Sequence, residues 1–379
     1  MASENLSLTA GELRIANVAN LEAELSALWQ SAAEGTETRQ PVTRASVLTL
    51  LAYSESEQAG AETLKLIGEI THESPCRAVV MVADRAASQA QLRASVFARC
   101  RIPTPGERQV CCEVISLYAS GPPVEGLKSL VIPLIIPELP VYLWWRGSDF
   151  APPAYLADIL RVTDRVLVDS SAFPDVEHGF TALAQQLNRV WGARRLAFSD
   201  LNWTRLTPWR ELLAQCFEFP EAVSCLHQIS KVRIEWGEDA STRRGAKAAA
   251  WLLAAWLANR LNWQPKKAAQ TKTGGRVLTF DCNGQPVEVI LEPAVGERLS
   301  VSIETRGPAA GVFRFMENPA AAELTGHCAV VGRPPFVRRM PLGATKISQV
   351  ISHELHFPSR DLIYEQVIDT LARVVALPY

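Results

Sequence analysis

Hydrophobic positions in the first half of the chain recur with two alternating periods. Val18, Leu21, Leu25 and Leu28 are spaced as on one face of a helix over Asn17–Ser31. A polar stretch, Glu34–Pro41, separates it from a β-rich run at Ala45–Tyr53. Leu64, Ile67 and Ile70 mark one face of a helix over Ala59–Glu73, and Arg77–Val82 is a second short apolar run. Strand, helix, strand is the pattern of a parallel α/β unit. Leu92–Ile102 and Val110–Tyr118 both alternate, and Pro105-Gly106 between them predicts an antiparallel hairpin. Gly121–Ile136 reads as a helix opened by two prolines, and Pro140–Trp145 as a wholly apolar strand. A helix near Tyr155–Leu160, a strand at Val166–Asp169 and a helix at Gly179–Trp191 continue the alternation.

The second half changes style. Thr207 is placed to cap a helix with Pro208 at its first position, where a missing N–H costs nothing. Lys231–Trp236 alternates as a strand, and Ser241–Asn262 is a long Ala, Trp and Leu helix, apolar nearly all round. Three alternating runs follow at Arg276–Cys282, Pro286–Glu292 and Arg298–Glu304, the first two meeting at the hairpin signal Asn283-Gly284. Asp361–Val375 closes the chain as an amphipathic helix. The expected fold class is α/β in two domains. Residues 1–203 form a doubly wound, Rossmann-like mixed sheet; residues 204–379 form an α+β domain with an antiparallel sheet backed by helices.

Composition narrows the function classes. The 379 residues are 48% hydrophobic and 21% charged, ordinary for a globular protein. With 38 Lys and Arg against 40 Asp and Glu the formal charge is -2, so the global basic excess of a nucleic-acid binder is missing. No apolar run approaches the ~20 residues of a membrane span. The first 20 residues carry no secretion signal. Eight scattered cysteines without a CxxC motif point to reduced thiols in a cytoplasm, with no zinc ribbon.

The α/β half lacks the residues of a nucleotide site. A dinucleotide fold wants GxGxxG after its first strand, so that backbone approaches pyrophosphate at a helix N-terminus. Here the strand runs into Tyr53-Ser54-Glu55-Ser56-Glu57, and neither a GxxxxGK[ST] loop nor a GxSxG elbow occurs. His353-Glu354-Leu355-His356 spaces its histidines three apart before Phe357-Pro358, which favours a polar strand or loop over a metal motif. Arg333-Pro-Pro-Phe-Val-Arg-Arg-Met-Pro reads as a solvated loop, with anion binding as its alternative. Arg243, Arg244 and Lys247 open the long helix, where cations oppose the dipole, so an anion or a partner carboxylate would suit them. Cys216 and Cys225, separated by a proline turn, are the candidate redox pair. The aromatic clusters stand out more. Trp144, Trp145 and Arg146 end a strand, and Trp203, Arg205, Trp209 and Arg210 surround the domain junction. Trp and Arg are enriched in binding hot spots and are equally ordinary as core filling.

Two of these segments, Pro137-ELPVYLWWR-Gly147 and Asp200-LNWTRLTPWRELLA-Gln215, carry a resemblance. The chain resembles the glucose-6-phosphate dehydrogenase assembly protein family, OpcA, from about Ala45 onward. The resemblance implies a non-catalytic protein without a cofactor. It would bind glucose-6-phosphate dehydrogenase, promote its oligomeric assembly and activate it, with a link to thiol redox state and thioredoxin. It also implies that Trp144, Trp145, Arg146, Asp200, Asn202, Trp203, Arg205, Thr207, Trp209 and Arg210 are motif positions and hence candidates for partner binding. The other class to test is an enzyme or sensor for a nucleotide or sugar phosphate, built on the α/β half at the carboxyl ends of its strands.

Overall fold

The computed structural model describes residues 5–9, 21, 23–27, 42–101, 109–148, 150–191, 194–237, 243–295, 299–307, 310–343, 346–357 and 359–378. The chain divides into two units, each assembled from three stretches. The first comprises Met1–Val168, Arg189–Ser199 and Lys346–Arg360; the second comprises Asp169–Asn188, Asp200–Thr345 and Asp361–Tyr379.

The first unit is built on a nine-stranded mixed sheet. Its strands are β1 (Asn5–Thr9), β2 (Val42–Arg44), β3 (Thr49–Ser54), β4 (Arg77–Asp84), β5 (Gln91–Arg101), β6 (Gln109–Ser120), β7 (Val141–Trp145) and β8 (Arg165–Val168), with β11 (Ala197–Asp200) at one edge. A separate two-stranded ribbon joins β9 (Val190–Trp191) to β10 (Arg194–Arg195). The sheet order is β1-β5-β6-β4-β3-β7-β8-β11, with β2 beside β6. Strands β6, β4, β3, β7 and β8 are parallel, and β5 turns back antiparallel on β6. β3, β4, β7 and β8 are buried almost throughout, as parallel strands covered on both faces must be. The chain works outward from β3 through β4 to β6, then returns to the other side of β3 with β7 and β8. The topological switch point therefore lies between β3 and β7.

The helix after β3, Glu57–Glu73, is capped by Ser56, whose hydroxyl accepts from the Ala59 N–H. Gly60 lets this helix approach the sheet: a Cβ there would meet Val82 Cγ2 at 2.3 Å. A buried ion pair, Arg77 Nε to Glu113 Oε2 at 2.7 Å, ties β4 to β6, and Arg77 also donates to the Leu134 carbonyl at 3.0 Å.

The second unit holds an eight-stranded sheet: β12 (Ile229–Gly237), β13 (Gln264–Gln270), β14 (Arg276–Cys282), β15 (Gln285–Ala294), β16 (Ser300–Thr305), β17 (Gly311–Asn318), β18 (Glu323–Val330) and β19 (Phe336–Pro341). Its order is β13-β14-β15-β12-β16-β17-β18-β19, antiparallel except for β12 against β15. The helix Arg243–Arg260 packs on β12 and β15, and the helix Leu362–Val375 packs on it in turn. This is the expected class, a mixed α/β chain with a doubly wound sheet and a helix-backed antiparallel sheet.

Several local expectations change. Gly121–Ile136 breaks into two 3-10 turns, Pro122–Gly126 and Ile132–Leu134, around the short helix Leu127–Val131. Pro122, Pro123 and Pro133 remove the donors that a continuous helix needs. The segment around His353 is neither strand nor loop but the helix Ile347–Leu355, which buries Val350, Ile351 and Leu355. The arginine-rich segment after Arg333 forms the edge strand β19 rather than a loop. Thr207 does not cap: the helix Thr207–Gln215 begins after Leu206, and the Thr207 hydroxyl accepts from Arg210. Of the first expected helix, Leu21 and residues 23–27 are helical, and the rest lies outside the described residues. The Pro105-Gly106 turn and the side chains of Arg243 and Arg244 lie outside them too.

Candidate functional site

The switch point is where a doubly wound sheet offers its ligand crevice. Here the chain's own side chains stand over it. Tyr53 and Trp145 are opposite each other in the β3–β7 register, at the carboxyl ends of both strands. Their rings stack at 4.3 Å and 13°. Phe150 meets Trp145 edge-on at 5.2 Å and Phe198 in the same way at 5.2 Å. The Tyr53 and Tyr155 hydroxyls are hydrogen-bonded at 2.9 Å, and burial pushes the Tyr53 pKa up. Gly147 makes room for the Trp145 indole, since a Cβ there would lie 2.6 Å from Nε1.

The helix-facing side of the same crevice belongs to Arg146. Its guanidinium lies 5.1 Å from the Trp144 ring. It donates to the Ala59 carbonyl at 3.1 Å and to Thr63 Oγ1 at 2.6 Å, and Glu62 stands at 3.4 Å. Of the glycine roles in a dinucleotide fingerprint, Gly60 keeps only the close packing of helix on strand. The approach of backbone to phosphate has no counterpart in Ser54-Glu55-Ser56-Glu57. Beside this plug, a cavity of about 250 Å³ is lined by Arg85, Gly121, Pro122, Val124, Glu125 and Tyr155.

The second motif lies in the second unit and is a network of caps. Asp200 is fully buried and caps the helix Leu201–Arg205. Its Oδ1 accepts from the Asn202 N–H at 2.9 Å and from the Ser170 N–H at 2.9 Å. Its Oδ2 has no hydrogen-bond partner among the described residues. Burial, and next the charge of Asp169, push the Asp200 pKa up to about 6. Asp169 is held by Arg205 in a two-bond fork, both bonds 2.9 Å, and by the Ser171 hydroxyl at 2.5 Å. Asn202 Nδ2 donates to Ser170 Oγ at 3.1 Å. Trp203 Nε1 donates to Asp361 Oδ2 at 2.8 Å, while Arg210 stacks on the Trp203 ring at 3.5 Å and donates to the Trp203 carbonyl at 2.6 Å.

Six of the ten candidate partner-binding residues are buried. Trp144, Trp145, Trp203 and Trp209 are 1%, 3%, 4% and 2% exposed, and Asp200 and Asn202 are buried as well. Their side chains fill and knit the cores of the two units. Arg146, Arg205, Thr207 and Arg210 keep partial exposure, and each arginine is engaged by its neighbours.

Each of the two candidate redox cysteines meets another group. Cys216 is hydrogen-bonded to Cys328. That bond lowers the Cys216 pKa and raises that of Cys328. Cys225 donates to the Glu221 carbonyl at 3.4 Å. Cys216, Cys225 and Cys328 are buried and not disulfide-bonded, whereas Cys111 is disulfide-bonded, against the expectation of reduced thiols throughout. Among the described residues no group of three or more His, Cys, Asp or Glu is placed to hold a metal ion, and no helix is long and apolar enough to cross a membrane.

Comparison with known proteins covers most of the chain. Residues 68–185 match the glucose-6-phosphate dehydrogenase subunit N-terminal domain of the OpcA assembly family, and residues 196–368 match its C-terminal domain. A relative from Synechocystis, named for OpcA of the OxPP cycle, is 32% identical over 197 residues, which are 52% of this chain and 39% of that protein. One of the same name from Nostoc punctiforme is 23% identical over 329 residues, 83% of this chain and 68% of the relative. The chain thus spans well under half of the first of these relatives. Among solved structures, a dehydrogenase (MviM) from Clostridium difficile superposes with a TM-score of 0.44 at 10% identity, over 86% of this chain and 97% of that one. The oxidoreductase yhhX gives 0.48 at 10% identity, over 87% and 95%.

Proposed function

Because this chain belongs to the OpcA family of glucose-6-phosphate dehydrogenase assembly proteins, we propose that it is a non-catalytic assembly factor of that enzyme. It binds glucose-6-phosphate dehydrogenase, favours the active oligomer and so activates the entry step of the oxidative pentose phosphate pathway. The observation that carries this reading is the match of both family domains along one chain. The switch point supports it, because aromatic rings and the Arg146 guanidinium pack there and no phosphate-binding loop follows β3. An activator of this kind works by differential affinity: it binds the active oligomer more tightly than the inactive form. A coupling of ~1–3 kcal/mol corresponds to an effect of ~5–150-fold.

Redox modulation through thioredoxin belongs to the same reading. Its support within the chain is the disulfide-bonded Cys111 and the Cys216–Cys328 contact. The setting that goes with this reading is the cytoplasm.

The test is light scattering of the full chain mixed with the dehydrogenase from the same organism. A new species whose mass rises to a plateau supports the proposal; two unchanged species at micromolar concentration refute it. The competing reading, a nucleotide or sugar-phosphate sensor, has the cavity beside Arg85 and Tyr155 in its favour. A dose-dependent rise in melting temperature with NADP, ATP or glucose 6-phosphate would support it.

A further inference from the structure

The eight-stranded sheet has one face covered and one face open. Helix Thr207–Gln215 packs on β18 and β19, Phe217 meets Phe313 at 4.3 Å, and a Cβ on Gly326 would lie 3.2 Å from Cys216 Sγ. These contacts define the covered face. On the opposite face, strand alternation and register place Val312, Arg314 and Met316 of β17 side by side. Arg314 stands opposite His327 of β18, which stands opposite Val337 of β19. Met316 and Thr325 stand in line with Arg339.

The open face is not uniform. On β12, β15 and β16 its polar groups satisfy one another: Lys231 pairs with Glu288 at 3.6 Å, Arg233 with Glu292, and Ser300 with Glu235 at 3.2 Å. The β17–β19 end differs in two respects. It concentrates exposed apolar side chains: Val312, Met316 and Val337 are 40%, 40% and 47% exposed, and Val331 follows in the turn after β18. It also carries a cation without an ion-pair partner among the described residues: Arg314 is exposed, and the carboxylate of Glu323 is taken by Arg339 at 3.6 Å. Clustered exposed apolar groups with polar neighbours mark an interaction surface.

We propose that the open face of β17–β19 is the surface on which the partner dehydrogenase docks, through a patch of that enzyme with an apolar centre and surface carboxylates. The proposal rests on the assembly-factor reading above. Charge complementarity selects the occupant. Arg314 lies between Val312 and Met316, so closure over the apolar pair strips water from its guanidinium, and a carboxylate must meet it. A second copy of this chain is disfavoured. A two-fold interface brings the same patch against itself, placing the Arg314 cations of both copies in one seam. The edge of β19 is not offered for strand addition, because Pro334, Pro335, Pro341 and its arginines block it.

The experiment measures the Kd of the full chain for the dehydrogenase from the same organism, at low and at physiological salt. Compared are the wild type, Arg314→Glu, Val337→Asp, and Val190→Asp as an exposed control in the other unit. The proposal predicts that Arg314→Glu and Val337→Asp each weaken binding about tenfold or more with unchanged melting temperature. It also predicts that Val190→Asp binds as the wild type does, and that the salt dependence shrinks in Arg314→Glu. Tight binding by all variants overturns this surface and leaves the assembly-factor reading standing. No binding by the wild type overturns both. A wild-type chain that dimerises alone, and is made monomeric by Val337→Asp, assigns the face to a second copy and overturns the proposal.

Discussion

Asp200 offers a direct measure of what the Asp200–Arg210 motif does, because its burial leaves a titration signature. The carboxyl is fully buried with one oxygen unpaired among the described residues, and its pKa is raised to about 6 by burial and by Asp169. In the unfolded chain an aspartate titrates near ~3.9. The folded protein therefore holds this proton over a window in which the unfolded chain has released it. Stability from this group is greatest below about pH 4, falls as the pH rises through about 6, and stays at its lower value above that. Two pKa units correspond to roughly 3 kcal/mol. Asp200→Asn keeps an oxygen for the Ser170 and Asn202 N–H groups and abolishes the titration. Its new amide is a buried donor in place of Oδ2, at a cost of ~1–3 kcal/mol. At neutral pH the two effects nearly cancel, so the variant is about as stable as the wild type. At pH 4 it is less stable by roughly 2–3 kcal/mol. The assay is urea unfolding of both proteins between pH 4 and pH 8, and the quantity is the difference between them, which removes carboxylates common to both. A constant difference across that range would refute the buried, proton-holding Asp200.

Three other outcomes follow from the packing. Gly60→Ala forces a Cβ to within 2.3 Å of Val82 Cγ2 and lowers stability by ~1–3 kcal/mol in urea unfolding. Arg77→Ala removes the cation from the buried ion pair with Glu113, at a cost of ~3–5 kcal/mol; restoration to near wild type by adding Glu113→Leu would show that the loss comes from breaking the pair. Trp203→Phe removes the indole donor to Asp361 and costs ~1–2 kcal/mol, read by the same unfolding assay, while binding to the dehydrogenase stays unchanged because the residue faces a core.

How much of this was legible in the sequence differs by element. Asn283-Gly284 announced its hairpin because the turn needs positive φ at both positions, and both have it, at 52° and 82°. The fully apolar run ending in Trp144-Trp145 reads as a strand and is one, buried along its whole length. β13 was hidden: Gln-Pro-Lys-Lys-Ala-Ala-Gln is a half-exposed edge strand with no apolar face to alternate. β19 was hidden for the same reason, with prolines and arginines that protect an edge and read as a loop. The helix Ile347–Leu355 buries Ser348 and Ser352 among its apolar residues, which blurs its period. Its place in the first unit is set by long-range partners, Ser348 with Glu69 and Glu354 with Arg165, that no local pattern encodes.

The motif residues stood out in the sequence by type and not by direction. Composition picked out the tryptophans and arginines of the two motifs. A sequence does not say whether a strand-end tryptophan turns into the sheet or out of it, and here the tryptophans turn in. The open face of β17–β19 needed the register, since Arg314, His327 and Val337 come together only when three strands are aligned.

The central claim is that this chain activates glucose-6-phosphate dehydrogenase without catalysis of its own. The measurement that tests it most directly is dehydrogenase rate against glucose 6-phosphate concentration, with the enzyme of the same organism, as the full chain is titrated in under reducing and oxidising conditions. The account predicts a saturable rise in rate, no rate from the chain alone, and a plateau at a fixed ratio of chain to enzyme. An enzyme whose rate and oligomer size ignore the chain in both redox conditions would contradict it.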